Sequence, residues 1–234
     1  MSLFKSQNPS VSSPTRVSGH IKIQKDGEER LLTVPQFEAL TGVAFFPQLD
    51  FADFSIIQDI AEKTQKIHKK GELTREQLWL GSYYKNEILN AFFPAVTIRW
   101  IDDTIGWGVF AAKAFKKMEY VAEYCGKVRP RQREDKKNAY CFEYVITPEL
   151  PTSYTIDAQD QGGIGRFINH NAKPNLHTAL VTLDWINHVI LIADEPIQKG
   201  AQLFYDYGPD YWSARSKPKN LDSTIETKYN LYGK

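Results

Sequence analysis

The sequence predicts a mainly β domain that follows a helical N-terminal part. Three observations predict it. Apolar residues recur at helical spacing between positions 53 and 89. From Ala95 onward that period gives way to short apolar segments separated by Gly and Pro. No regular alternation of strands with long helices follows, which argues against a parallel βαβ sheet.

The elements are justified in chain order. Residues 1–20 are rich in Ser and Pro and carry little apolar material, so they are expected to be a flexible tail. Residues 21–94 are expected to form a helical accessory region. A short helix should start at Pro35, which suits a first helical position, and stop near Gly42. A longer one should lie within 53–70, where Ile56, Ile57, Ile60 and Ile67 share a face and Gly71 follows. A third opens at Thr74 with Gln77 three residues on, the spacing of a capping box, and runs through Leu78, Tyr84, Ile88 and Leu89 before Pro94.

Strands are expected at 95–101, 107–111, 119–124, 140–146, 153–157, 176–184, 188–193 and 201–206, within a domain spanning 95–212. The stretch 109–123 also reads as a helix. Residues from 213 to 234 are polar, with five basic and two acidic side chains, and suit a short helix or a loose tail closing the site.

Composition excludes several classes. The chain has 234 residues, 42% of them apolar, enough for a real core in one or two domains. No apolar run approaches the ~20 residues of a membrane-spanning helix. The N-terminus lacks the apolar stretch of a secretory signal. Cys125 and Cys141, the two cysteines, cannot alone hold a structural zinc, so no metal is expected.

A formal net charge of +1 excludes a polycationic coat and hides a local asymmetry. Residues 127–137 hold six basic and two acidic side chains. Residues 138–165 hold no Lys or Arg but include Glu143, Glu149, Asp157 and Asp160, a stretch suited to a cationic substrate. Ordinary solvated faces explain both equally well. The basic run could meet phosphates, but no aromatic-interleaved groove supports nucleic-acid binding.

Three segments carry chemistry. Gly106-Trp107-Gly108-Val109-Phe110-Ala111 fits a dinucleotide fingerprint, but that reading needs a helix to follow, and Trp107 crowds the backbone approach. Arg166-Phe167-Ile168-Asn169-His170 leads to Pro174-Asn175, a loop that can point polar groups at a ligand. His170 and His177 lack carboxylate or thiolate partners at a metal-binding spacing. Leu203-Phe204-Tyr205-Asp206-Tyr207-Gly208-Pro209-Asp210-Tyr211-Trp212 puts Tyr205 and Tyr207 on one strand face, with Asp206 on the other. A core edge strand and a satisfied loop histidine are the plainer readings of the last two.

Together, with Glu123-Tyr124-Cys125-Gly126 between them, these segments resemble the SET-domain protein lysine methyltransferases over Ile105–Trp212, 108 of 234 residues. Residues 94–111 and the ending YGPDYW look most like the small chlamydial-type bacterial members. The resemblance implies a SET-domain fold: several small β-sheets around a pseudoknot-like C-terminal segment.

It also implies S-adenosyl-L-methionine as cofactor, with S-adenosyl-L-homocysteine as product. Ile105, Trp107, Tyr140, Arg166, Phe167, Asn169 and His170 should bind the cofactor, with Tyr207, Tyr211 and Trp212 closing over it. Tyr207 should be the essential tyrosine of the lysine channel and Tyr124 a channel wall. Tyr205 occupies the family's Phe-or-Tyr switch, which favours mono- or dimethyl-lysine.

The implied substrate is a Lys-rich protein, such as a histone tail or a bacterial histone-like protein, or the enzyme itself. A homodimer stays open, and no membrane partner is expected. The resemblance implies the bacterial cytoplasm, with export into a host cell and its nucleus as an effector. Many relatives place a zinc-binding cysteine where this chain has Ala172, so closure should fall to Tyr211, Trp212 and the segment after them. The alternative is a catalytically weak SET-fold module that binds peptide or methyl-lysine.

Overall fold

The computed structural model describes residues 19–213 and 215. The tail expected over 1–20 and the closing segment expected over 213–234 therefore lie mostly outside the described residues. Of the tail, His20 already belongs to a strand.

The N-terminal region does not begin as a helix. It opens with a hairpin of β1 (His20–Lys25) and β2 (Glu28–Thr33). Asp26-Gly27 makes the turn with φ of 54° and 83°, the doubly positive geometry that matches strand twist. Ile21 and Ile23 alternate inward, and Ile23 pairs in parallel with Ile98 of β5 (Val96–Asp102). The hairpin is thus part of the four-stranded sheet β2-β1-β5-β6, where β6 is Gly106–Ala111.

The helices come next. α1 (Val34–Thr41) starts where Gln36 Oε1 takes the Thr33 N–H at 3.0 Å, and it ends on left-handed Gly42. Two-residue strands β3 (Ala44–Phe45) and β4 (Asp50–Phe51) follow. α2 (Phe54–Lys69) is capped by Asp53, which accepts the Ser55 N–H, and buries Ile56, Ile60 and Ile67.

The third expected helix departs from expectation twice. It breaks at buried Tyr84 into α3 (Arg75–Tyr83) and α4 (Lys85–Leu89), and the Tyr84 hydroxyl donates to Met118 O at 2.6 Å. The capping box is also half formed. Thr74 caps Gln77 N, but the Gln77 side chain donates instead to Ile146 O and Thr182 Oγ1. Gln77 is buried, and carbonyls inside the protein need those donors more than the solvent-facing cap does.

The remaining strands are short. β7 (Tyr120–Glu123), β8 (Lys127–Pro130), β9 (Cys141–Thr147), β10 (Leu150–Asp157), β11 (Gln161–Gly162), β12 (Asn169–His170), β13 (Leu176–Leu183), β14 (Ile186–Ala193) and β15 (Phe204–Tyr205) precede α5 (Pro209–Ser213). They form the small sheets β4-β8-β10-β9, β11-β3, β12-β15 and β13-β14-β7.

The helical alternative for 109–123 is overturned, because Val109, Phe110 and Ala111 pair with β5 and Tyr120–Glu123 pairs with β14. The dinucleotide reading falls with it: Gly106 and Gly108 lie in a strand that no helix follows. The strand expected at 201–206 shrinks to β15. Its flanking residues are nevertheless inserted between earlier elements, with Leu203 N bonding Val109 O and Asn169 and His170 pairing with Phe204 and Tyr205.

Most of the basic run faces solvent, with Lys127, Arg131, Arg133, Lys136 and Lys137 exposed, but its centre is anchored. Val128 is fully buried, and Arg129 forks onto Asp135 (2.6 and 3.1 Å) and Asp157 (2.7 and 3.0 Å). Asp135 Oδ2 also accepts the Gln132 N–H, fixing the 3₁₀ turn Arg133–Lys137. Arg131 pairs with Glu143. Two of the acidic residues expected to draw a substrate are therefore already paired with the basic run. No described helix is long and apolar enough to cross a membrane.

Two stability predictions follow from this packing. Gly81 sits where α3 meets β13, and a Cβ there would collide with the Thr182 carbonyl. Gly81→Ala should lower unfolding stability by about 2 kcal/mol or more, read from urea midpoints. The second concerns acid. Burial raises the Asp135 carboxyl, but the Arg129 guanidinium and Gln132 N–H overcome it and hold the group below its ordinary 3.8. A depressed folded value means that its stabilisation is complete above the ordinary value and fades as pH falls through the lowered one. The urea midpoint should drop on acidification below about pH 4, and Asp135→Asn should flatten that drop.

Candidate active site

A cavity of about 1120 Å³ opens between the β5–β6 turn, the Arg133–Lys137 turn, β9, β12 and the β15–α5 segment. Its walls are built from the turns upward. Asp102 Oδ1 accepts the Thr104 and Ile105 N–H groups at 3.0 and 2.9 Å, and Gly106 takes φ 77°, so Ile105 is set at the cavity edge. Trp107 lines the cavity and meets Trp100 edge-on at 5.2 Å, with the Lys25 ammonium over Trp100.

Gly108 leaves room for three side-chain ends to approach the strand. A Cβ there would lie 2.7 Å from Gln202 Nε2 and Ile101 Cδ1 and 3.0 Å from Asn169 Nδ2. That close approach lets Asn169 Nδ2 donate to Trp107 O at 3.2 Å. His170 is almost wholly buried, and its Nδ1 accepts the Tyr207 N–H at 3.2 Å. The same Nδ1 lies 3.3 Å from Asp206 Oδ1. The ring packs against Tyr207 and Trp212 at 5.4 and 4.9 Å.

Arg166 organises the opposite wall. Its Nε donates to Ala158 O at 2.7 Å, and its guanidinium lies over the Tyr140 ring at 4.1 Å and over Phe167 at 4.8 Å. Burial lowers its pKa.

Between these walls stand the tyrosines. The rings of Tyr205 and Tyr207 are 4.7 Å apart, and Tyr207 meets Tyr211 at 4.7 Å. The Tyr207 hydroxyl donates to Ile168 O at 2.9 Å, and the Tyr124 hydroxyl donates to Tyr140 O at 2.8 Å. Each oxygen keeps lone pairs as acceptors. Burial pushes the Tyr124, Tyr205 and Tyr207 phenols well above their ordinary value, and neighbouring tyrosines push further. All three stay protonated at neutral pH, and the cluster is uncharged and aromatic.

All the residues that the resemblance assigns to the site line this one cavity: Ile105, Trp107, Tyr124, Tyr140, Arg166, Phe167, Asn169, His170, Tyr205, Tyr207, Tyr211 and Trp212. Sequence reasoning missed its rim. Thr41, Arg131, Lys136, Cys141, Glu143 and Arg215 also line it. Glu143 and Arg131 had signalled themselves through charge, whereas Arg215 gave no signal at all. Cys141, a free cysteine, has its thiol pushed up to about 11 by burial and is a poor nucleophile.

A family model described as the SET domain matches residues 106–208. Among curated proteins, the histone-lysine N-methyltransferase Su(var)3-9 of Drosophila melanogaster is 34% identical over 114 residues, covering 44% of this chain and 18% of that protein. The N-lysine methyltransferase KMT5A-A of Xenopus laevis is 38% identical over 112 residues, covering 44% of this chain and 33% of that protein. The match thus spans a third or less of these relatives' length. Among solved structures, Arabidopsis thaliana SUVH6 in complex with SAM is 26% identical, with a TM-score of 0.45, over 52% of this chain and 28% of that one. Residues 106–208 thus match the SET-domain family, and the curated proteins similar to this chain include histone-lysine methyltransferases.

Proposed function

We propose that this chain is an S-adenosylmethionine-dependent protein lysine N-methyltransferase, most like the small chlamydial-type bacterial members, producing mono- or dimethyl-lysine. The observation that carries the reading is one cavity joining Tyr124, Tyr205 and Tyr207 to the residues that the family resemblance assigns to cofactor binding. The donor set fits such a cofactor. Trp107, Phe167, Tyr211 and Trp212 offer flat apolar faces to a base. Tyr hydroxyl oxygens and ring faces suit a sulfonium charge. Asn169 and the His170 segment bring backbone and side-chain polar groups to the same wall.

When bound, S-adenosylmethionine supplies a sulfonium-activated methyl group and leaves as S-adenosylhomocysteine. The rest falls to the protein. A target lysine must arrive as the neutral amine, yet with a pKa near ~10.4 only on the order of one in a thousand is neutral at pH 7. The uncharged tyrosine cluster disfavours the ammonium by desolvation, so its proton leaves to water. The Tyr207 and Tyr124 oxygens, with their own protons committed to Ile168 O and Tyr140 O, accept from the amine and aim its lone pair. Tyr205 narrows the space left for a methylated amine.

The rim suits a cationic, Lys-rich segment such as a histone tail or a histone-like bacterial protein. Glu143 on edge strand β9 lines the cavity, and its carboxylate would be shared between Arg131 and an incoming cation. We place the protein in the bacterial cytoplasm, with delivery to a host nucleus as its route to histones.

Labelled S-adenosylmethionine with histones, basic bacterial proteins and the enzyme alone tests the reading. Label on lysine supports it; cofactor or peptide affinity with no transfer to any of them supports the binding-module alternative. Tyr207→Phe should lower kcat by about 100-fold or more in a steady-state assay. An unchanged kcat removes Tyr207 from catalysis. Tyr205→Phe should shift products toward trimethyl-lysine by mass spectrometry, and an unchanged distribution refutes the switch assignment.

A further inference from the structure

α5 has five residues, too few to hold a helix by itself, yet it carries Tyr211 and Trp212 onto the site. What holds it lies two residues beyond its end. The Arg215 guanidinium stacks over the Tyr211 ring at 4.4 Å. One of its nitrogens donates to Tyr211 O at 3.1 Å and another donates to Lys136 O at 3.2 Å. The Arg215 N–H bonds Trp212 O at 3.2 Å.

Lys136 belongs to the Arg133–Lys137 turn, on the other side of the cavity mouth. That turn is itself a firm anchor, because Asp135 is bonded by both Arg129 and the Gln132 N–H. One guanidinium therefore joins a marginal helix to an anchored turn across the opening.

We propose that Arg215 is a positioning residue that latches the Tyr211–Trp212 segment over the cavity. The latch sets how tightly cofactor and target lysine are retained. A lysine could not replace it. The planar fork donates to two carbonyls while its face stacks on a ring, and an ammonium offers neither arrangement. The inference rests on the methyltransferase reading for its kinetic arm alone.

The test compares wild type, Arg215→Ala and Arg215→Lys in the full chain. Backbone hydrogen exchange over 209–213 should quicken by about tenfold or more in Arg215→Ala, the scale of one lost charged hydrogen bond. Exchange in β13 and β14 should not move. The Kd for S-adenosylmethionine by calorimetry and the peptide KM should rise by about tenfold, more than kcat falls. Arg215→Lys should resemble Arg215→Ala. The latch is overturned if exchange and KM stay within about twofold of wild type. It is also overturned if kcat falls with KM unchanged, or if Arg215→Lys restores wild-type values. Were wild type to bind no S-adenosylmethionine, the methyltransferase reading would fail, while the exchange arm would still decide the latch.

Discussion

A phenol buried away from water has to place its hydroxyl proton on an acceptor, and four tyrosines of this fold place it on backbone carbonyls, three of them in connecting segments. Tyr84 reaches Met118 O, Tyr144 reaches Asn187 O, Tyr124 reaches Tyr140 O and Tyr207 reaches Ile168 O. Tyr144 joins β9 to β14, and the other three bonds each tie one connecting segment to another. Leaving such a carbonyl or hydroxyl unpaired inside would cost roughly 1–3 kcal/mol, so the loops have little freedom to move without the rings. The small sheets are too short to be rigid by themselves, and the tyrosines supply the cross-bracing. Two of the four braces also shape the cavity, so fold and site share the same bonds.

Charge is handled differently from what composition suggests. Part of the basic run pairs with part of the acidic stretch, Arg129 with Asp157 and Arg131 with Glu143, while Arg129 also pairs with Asp135 in its own run. Arg129 and its two partners are largely shielded from water, which strengthens their attraction and makes the turn they hold a fixed wall. The Arg131–Glu143 pair is half exposed and correspondingly weak. The cavity thus combines a neutral, aromatic interior with a half-exposed ion pair at its rim.

The sequence was legible where local signals and tertiary packing agree. α1 and α2 lie where Pro35, Gly42 and the isoleucine spacing put them. The N-terminal hairpin was legible too, in Asp26-Gly27 after the alternating Ile21 and Ile23, but the helical pattern downstream masked it. Gln77 misled because a capping signal is local, while the carbonyl it serves, that of Ile146, is 69 residues away. The residues lining the cavity were readable through motif resemblance, not through periodicity. Nothing in the sequence marks Arg215, whose partners come from a backbone carbonyl and a ring brought near by the fold.

The insertion of residues 201–205 between β6 and β12 has a consequence for synthesis. Val109 and Ala111 in β6 and Asn169 and His170 in β12 find backbone partners in a segment made after the whole β13–β14 hairpin. Translation proceeds at about 5–20 residues per second, so a growing chain exposes those unpaired edges for some seconds before their partner emerges. During that time it can hold neither half of the tyrosine cluster together. The tyrosine-lined cavity is thus the last part of the domain that a ribosome can complete, and a nascent chain stopped before residue 200 would keep those edges unpaired.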